Sequence, residues 1–198
     1  MKQFIYAAVL AATGLVCAFT NRHDTPKPKQ RATTVHKKTT QDPLLKRGEY
    51  LVMTMGCGDC HSPKKMTPQG PAPDTDRLLS GYNSNIPLGD YDKNVVKSGQ
   101  WVMFNGQNTA FIGPWGVSFA ANLTPDATGI GSWSLAQFTK AMRQGKAKGL
   151  DNNRPLLPPM PWPNYTRMTD DDMKAVFTYL KSLKPVENNV PAPMPPTP

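Results

Sequence analysis

The sequence predicts an all-α domain interrupted by one long, loop-rich insertion. Three observations carry that expectation. Apolar residues recur at helical spacing, with start and stop signals, in segments 42–55, 134–145 and 169–185. Residues 62–131 between the first two segments are dense in Pro, Gly, Asn and Asp, and are too long to be wholly structureless in a compact domain. Directly after the first helical segment comes Cys57-Gly58-Asp59-Cys60-His61, a pattern set by chemistry rather than packing.

C-x-x-C-H is the attachment pattern for a covalent haem: two cysteines bond one edge of the porphyrin and the histidine ligates its iron. A redox dithiol would want a βαβ setting, and a zinc site would need two further ligands. Neither is present. The remaining cysteine, Cys17, lies in an apolar run, and His23 and His36 lie in a polar, basic stretch.

The 198 residues, 38% hydrophobic, suit one domain with tails. The net charge of +9 is concentrated in residues 22–47, with eight basic and two acidic side chains, whereas residues 48–198 carry fourteen basic and twelve acidic. The globular part is therefore nearly neutral, and with no nucleic-acid motif that class of partner is set aside. A basic tail serves as a solvated linker or as a contact to anionic lipid or an acidic partner.

Residues 1–20 have Lys2 and then an apolar run from Phe4 to Phe19, which reads as an export signal or membrane anchor. Three fates fit it: cleavage after Ala18, lipidation at Cys17, or retention as an anchor. Each puts the domain on the outer, periplasmic face of the cytoplasmic membrane. Residues 21–41 read as a basic, disordered tether.

The domain proper is expected over residues 42–186. Asp42 suits an N-cap and Pro43 the first helical position, and Leu44, Leu45, Gly48, Leu51, Val52 and Met55 form one face of the first helix. Glycine costs about 1 kcal/mol relative to alanine inside a helix, so Gly48 implies close approach of another helix. In the insertion, Trp101–Phe104 and Thr109–Ile112 flank Asn105-Gly106 and suggest a small hairpin. Trp101, Phe104, Phe111, Trp115 and Phe119 supply apolar bulk for covering a porphyrin, or for ordinary core. Ser134 and Gln137 match a capping box and Gly145 a helix stop. Pro155 to Pro163 forbid a helix and impose a stiff path around Met160. Thr169 and Asp172 resemble a second capping box, Met173, Val176, Phe177, Leu180 and Leu183 face the core, and Pro185 stops the helix. Residues 187–198 are expected to be an extended, mobile tail.

With His61 on one side of the iron, the other axial position decides between electron transfer and ligand binding. Met142 and Met173 lie on core stripes, Met168 stands at a staple position, and Met66 follows His61 too closely to reach the opposite face. Met103 and Met160 remain. Met160, in its proline frame, is the expected ligand, with Met103 the alternative.

The chain resembles the class I cytochrome c family, and more closely the bacterial haem c domains associated with membrane-bound dehydrogenases and oxidases. Gly48, Cys57-Gly58-Asp59-Cys60-His61, Ala121-Asn122-Leu123-Thr124-Pro125-Asp126, Thr128-Gly129-Ile130-Gly131, Pro159-Met160-Pro161 and Tyr179-Leu180 carry the likeness, over roughly residues 42–186. The resemblance implies that the first and last helices cross at Gly48 and that the Asn122 loop lies near the haem. The stretch from His61 to Met160 is longer than in the smallest family members, and the sequence assigns neither the haem propionate contacts nor the carbonyl that holds the His61 ring.

The expectation is thus a monohaem c-type cytochrome and not an enzyme in itself. Cys57 and Cys60 would anchor the haem c, and His61 and Met160 would ligate its iron. It would carry one electron at a time to or from a redox partner such as a dehydrogenase, a quinol-oxidising complex or a terminal oxidase. The alternative is a haem c enzyme or gas sensor with a labile sixth ligand.

Overall fold

The computed structural model describes residues 42–196, so the expected export segment and basic tether lie outside the described residues. Five α-helices, three short 3-10 helices and two small antiparallel sheets are the regular elements of the described part. The prediction of an all-α domain is therefore met only in part.

Helix α1 (Pro43–Thr54) begins as the sequence implies, with the Asp42 carboxylate accepting from the Leu44 N–H at 2.9 Å. Its Gly48 packs against helix α5 (Asp170–Ser182). A methyl group placed at Gly48 would overlap the carbonyl of Ala175 and come within 2.7 Å of the Tyr179 Cβ. That crossing is the reason for a glycine in mid-helix. Arg47 seals its rim through a two-pronged pair with Asp172, Nε to Oδ1 at 2.8 Å and Nη2 to Oδ2 at 3.2 Å. The pair also explains why the second capping box is only half realised. The Thr169 hydroxyl accepts from the Asp172 N–H at 3.1 Å, but the Asp172 carboxylate is engaged by Arg47.

Helix α4 (Leu135–Gln144) carries a complete capping box at Ser134 and Gln137, and Gly145 closes it in the left-handed conformation at φ 63°. Phe138 and Met142 of α4 join Val52 of α1, Met173, Val176 and Leu180 of α5, and Ile130 in one buried cluster. Met142 and Met173 are core residues, as their spacing predicts.

The insertion holds more strand than expected. Strands β1 (Lys64–Thr67) and β2 (Gly70–Pro73) pair as a ribbon that the prolines made look improbable. Helix α3 (Lys93–Lys97) precedes strand β3 (Met103–Phe104), which pairs with β4 (Ala110–Gly113) in the expected hairpin, and β5 (Gly116–Phe119) adds a third strand. Trp101 and Phe104 are 66% and 68% exposed, so neither is core nor cofactor cover.

The tail corrects the expectation of mobility. It is extended, but Met194 bridges to Val117 of β5 through N–H to O bonds of 2.8 and 3.0 Å. Asn188 is 3% exposed. Its Nδ2 donates to the carbonyls of Ser80 and Tyr82 at 2.7 and 2.8 Å, and its Oδ1 accepts from the Ser84 N–H and hydroxyl at 3.2 and 3.0 Å. The packed domain therefore runs on past residue 186.

Candidate haem site

The Cys57–His61 segment forms a short helix of its own, α2 (Cys57–His61), separated from α1 by Met55 and Gly56. Gly56 has φ 67° and its Cβ position lies 2.7 Å from the Asp59 carboxylate, so both its backbone and its space call for glycine. The far end of α2 is fixed from several directions. Lys64 Nζ donates to the carbonyls of Gly58, Asp59 and Ser62, where the helix dipole favours a cation. Ser62 Oγ accepts from the Leu79 N–H at 2.9 Å, and the His61 carbonyl accepts from the Gly81 N–H at 2.7 Å. Asn108, in the β3–β4 turn, donates to the Asp59 carbonyl at 2.9 Å and so ties the larger sheet to the motif.

Cys57, Cys60 and His61 open onto a cavity of about 350 Å³. Its walls are mostly apolar, with Phe111 and Phe119 from the larger sheet, Phe138 and Met142 from α4, and Val176 and Leu180 from α5. Met160 lines the same cavity from the proline segment, whereas Met103 sits in β3 and does not. Met66 is 80% exposed on the β1–β2 ribbon. The two cysteines are unbridged, and burial pushes the Cys57 thiol up to about 11. A thiol so held is a poor redox nucleophile, because reactivity follows the thiolate.

The ring of His61 is aimed by the backbone. Its Nδ1 lies 2.7 Å from the carbonyl oxygen of Ala121. A carbonyl can only accept, so Nδ1 carries the proton and Nε2 is left with a free lone pair for a metal. Burial also lowers the His61 pKa, against the opposing pull of the Ala121 carbonyl, and the ring stays neutral. This is the arrangement in which a backbone acceptor behind the imidazole fixes its tautomer and orientation.

Sequence reasoning did not find Ala121, because a carbonyl partner leaves no side-chain signal. Its neighbours hold it in place. Asn122 Oδ1 accepts from the Thr124 N–H and hydroxyl at 3.0 and 2.8 Å, and its Nδ2 donates to Thr128 Oγ1 and the Val186 carbonyl at 3.1 and 2.8 Å. Ala121 and Leu123 line the cavity, so the Asn122 loop borders the site as the resemblance implies, with Asn122 itself buried as a structural tie.

The residues present fit a covalent haem c. Two thiols, one oriented imidazole nitrogen and a thioether share one largely apolar cavity, and this donor set matches what the group requires. Among the described residues there is no cluster of three or more His, Cys, Asp and Glu side chains that would hold a bare metal ion.

Comparison with known proteins points the same way. The family model described as cytochrome c matches residues 45–184. The gluconate 2-dehydrogenase cytochrome c subunit of Pantoea cypripedii is 33% identical over 139 residues, covering 70% of this chain and 23% of that protein. The fructose dehydrogenase cytochrome subunit of Gluconobacter japonicus is 29% identical over 184 residues, covering 91% of this chain and 29% of that protein. The alcohol dehydrogenase (quinone) cytochrome c subunit of Gluconobacter oxydans is 28% identical over 153 residues, covering 76% of this chain and 24% of that protein. The chain thus spans less than a third of the length of these relatives.

Proposed function

The chain belongs to the cytochrome c family, and on that premise we propose that it is a one-electron carrier whose haem iron is held between His61 and Met160. When bound, haem c supplies an iron that alternates between Fe(II) and Fe(III) and so takes up or gives up one electron. Cys57 and Cys60 anchor the group. His61 offers Nε2 to the iron because the Ala121 carbonyl occupies its other nitrogen. Met160 offers a thioether, which favours Fe(II) and raises the potential relative to a second imidazole. The phenyl rings and aliphatic side chains of the cavity keep water away from the iron.

The observation that supports this most is the presence of Met160, alone of the two candidate methionines, in the wall of the cavity that Cys57, Cys60 and His61 share. With both axial positions taken there is no vacancy for a substrate, so the protein transfers electrons and is not itself the catalyst. The relatives are cytochrome subunits of gluconate, fructose and alcohol dehydrogenases. A dehydrogenase is the electron donor we infer, met in a weak encounter on the periplasmic side. Among the described residues no helix is long and apolar enough to cross a membrane. An uncleaved anchor in residues 1–20, or a lipid on Cys17, would attach it to the membrane.

A redox titration and carbon monoxide binding test the reading. One haem per chain, a one-electron transition, and slow or no CO binding to the reduced protein at neutral pH are expected. Rapid CO binding would instead favour a haem enzyme or gas sensor with a labile sixth ligand.

A further inference from the structure

The segment that carries Met160 has few means of holding itself in place. Five of the nine residues from Pro155 to Pro163 are prolines and lack a backbone donor. The Leu156 N–H donates to the Gly145 carbonyl at 2.6 Å, and the Met160 N–H turns back on the Leu157 carbonyl at 3.2 Å. Pro158 and Pro159 are exposed, so the bend before Met160 is not clamped from the solvent side. Among the described residues, one hydrogen bond joins residues 157–160 to another part of the domain: the Ser118 hydroxyl donates to the Pro158 carbonyl at 2.6 Å.

The direction of that bond is fixed from behind. Trp115 Nε1 lies 3.2 Å from the Ser118 oxygen, and an indole N–H can only donate. The hydroxyl therefore accepts from Trp115 and commits its own proton to Pro158, whose carbonyl can only accept. Ser118 is 7% exposed and stands on a well-braced strand. On one side β5 pairs with β4, with Phe111 opposite Ser118, and on the other Val117 bridges to Met194 of the tail. The Trp115 ring folds over Gly113, where a Cβ would lie 2.4 Å from it. Ser118, Pro158 and Met160 all line the apolar cavity.

We propose that Ser118, oriented by Trp115, is the positioning residue that fastens the Met160 segment to the larger sheet and so keeps the sixth axial position closed. This rests on the ligand reading above. A thioether is a weak, neutral acceptor, so how long it stays in place depends on how firmly its segment is presented. The insertion thus acts on the iron site through one hydroxyl, and loss of that hydroxyl moves the protein toward a labile sixth ligand.

The test compares full-length wild type, Ser118→Ala and Ser118→Thr holoproteins under native conditions. Losing one ordinary hydrogen bond should raise the fraction of molecules with Met160 off the iron about fivefold. CO association to the reduced protein at neutral pH should quicken in the same proportion in Ser118→Ala, because only the open fraction binds. The long-wavelength methionine band of the oxidised variant should also fade at a lower temperature than in wild type, ahead of the tryptophan fluorescence transition. Ser118→Thr, which keeps the hydroxyl, should restore both. A merely structural role would shift the fluorescence transition and leave CO association under native conditions unchanged. If Met160→Ala loses the band while Ser118→Ala matches wild type in CO association and band, this proposal fails and the ligand reading stands; if Met160→Ala keeps the band, both fail. Should Ser118→Ala not retain haem, hydrogen exchange in the reduced wild type decides. The Trp115 indole N–H should exchange much more slowly than that of the exposed Trp101, and equal rates refute the relay.

Discussion

Replacing Asn188 by alanine removes the amide that fastens the C-terminal strap to the segment behind His61. The amide makes four hydrogen bonds, and they are not equivalent. Those to Ser84 reach an exposed residue, where water takes over. Those to the carbonyls of Ser80 and Tyr82 reach residues 0% and 3% exposed, and the two oxygens would be left buried without a partner. Each orphaned buried group costs about 1–3 kcal/mol. Partial entry of water should reduce the sum to about 2–4 kcal/mol, or roughly 5–15 °C in Tm for a chain of this size. The effect should also reach the site, because Gly81, between those two residues, donates to the His61 carbonyl. Urea titration of the oxidised holoprotein, followed by tryptophan fluorescence and haem absorbance, measures both. A loss below about 0.5 kcal/mol, within the range of ordinary surface substitutions, would show that the strap is not held by this residue.

Other substitutions probe the remaining joints. Gly48→Ala should gain up to about 1 kcal/mol in helix propensity but cost about 1–3 kcal/mol by forcing α1 away from the Ala175 carbonyl, so denaturant titration should show net destabilisation. A more stable variant would mean the helices do not cross there. Asp172→Asn tests the rim pair. The hydrogen bond from Arg47 holds the Asp172 carboxyl below its ordinary value of 3.8. A depressed folded-state pKa contributes stability that is present above the unfolded value and lost as pH falls through the folded one. Wild type should accordingly exceed Asp172→Asn in stability at neutral pH, and the gap should close below about pH 3.8. A gap that persists into strong acid would point to a cause other than the charge.

Much of the fold could be read from the chain because its signals are local. Ser134 with Gln137, Asp42 with Pro43, and Gly48 on a helical stripe each state a backbone requirement within a few residues, and each is met. The β1–β2 ribbon was hidden by its prolines. Pro71 and Pro73 sit two apart, on alternate positions of one strand, so neither missing N–H needs to face the partner. The strap was hidden for a different reason. A proline-rich tail reads as mobile from composition, and only the fold reveals that Ser80 and Tyr82 present carbonyls for one asparagine to collect.

The same division applies to the site. Cys57, Cys60 and His61 are adjacent in sequence and announce their chemistry, whereas elimination along the chain leaves both Met103 and Met160, of which Met160 lines the cavity. Ala121 could not be found that way, because it acts through a backbone oxygen 60 positions from His61.

The measurement that bears most directly on the central claim is the optical spectrum of the oxidised Met160→Ala holoprotein, together with CO binding to its reduced form. Wild type should show the weak long-wavelength charge-transfer band of methionine bound to Fe(III), and the variant should lose it and bind CO rapidly at neutral pH. Retention of that band in Met160→Ala would contradict the account, because the iron would then be closed by some other methionine.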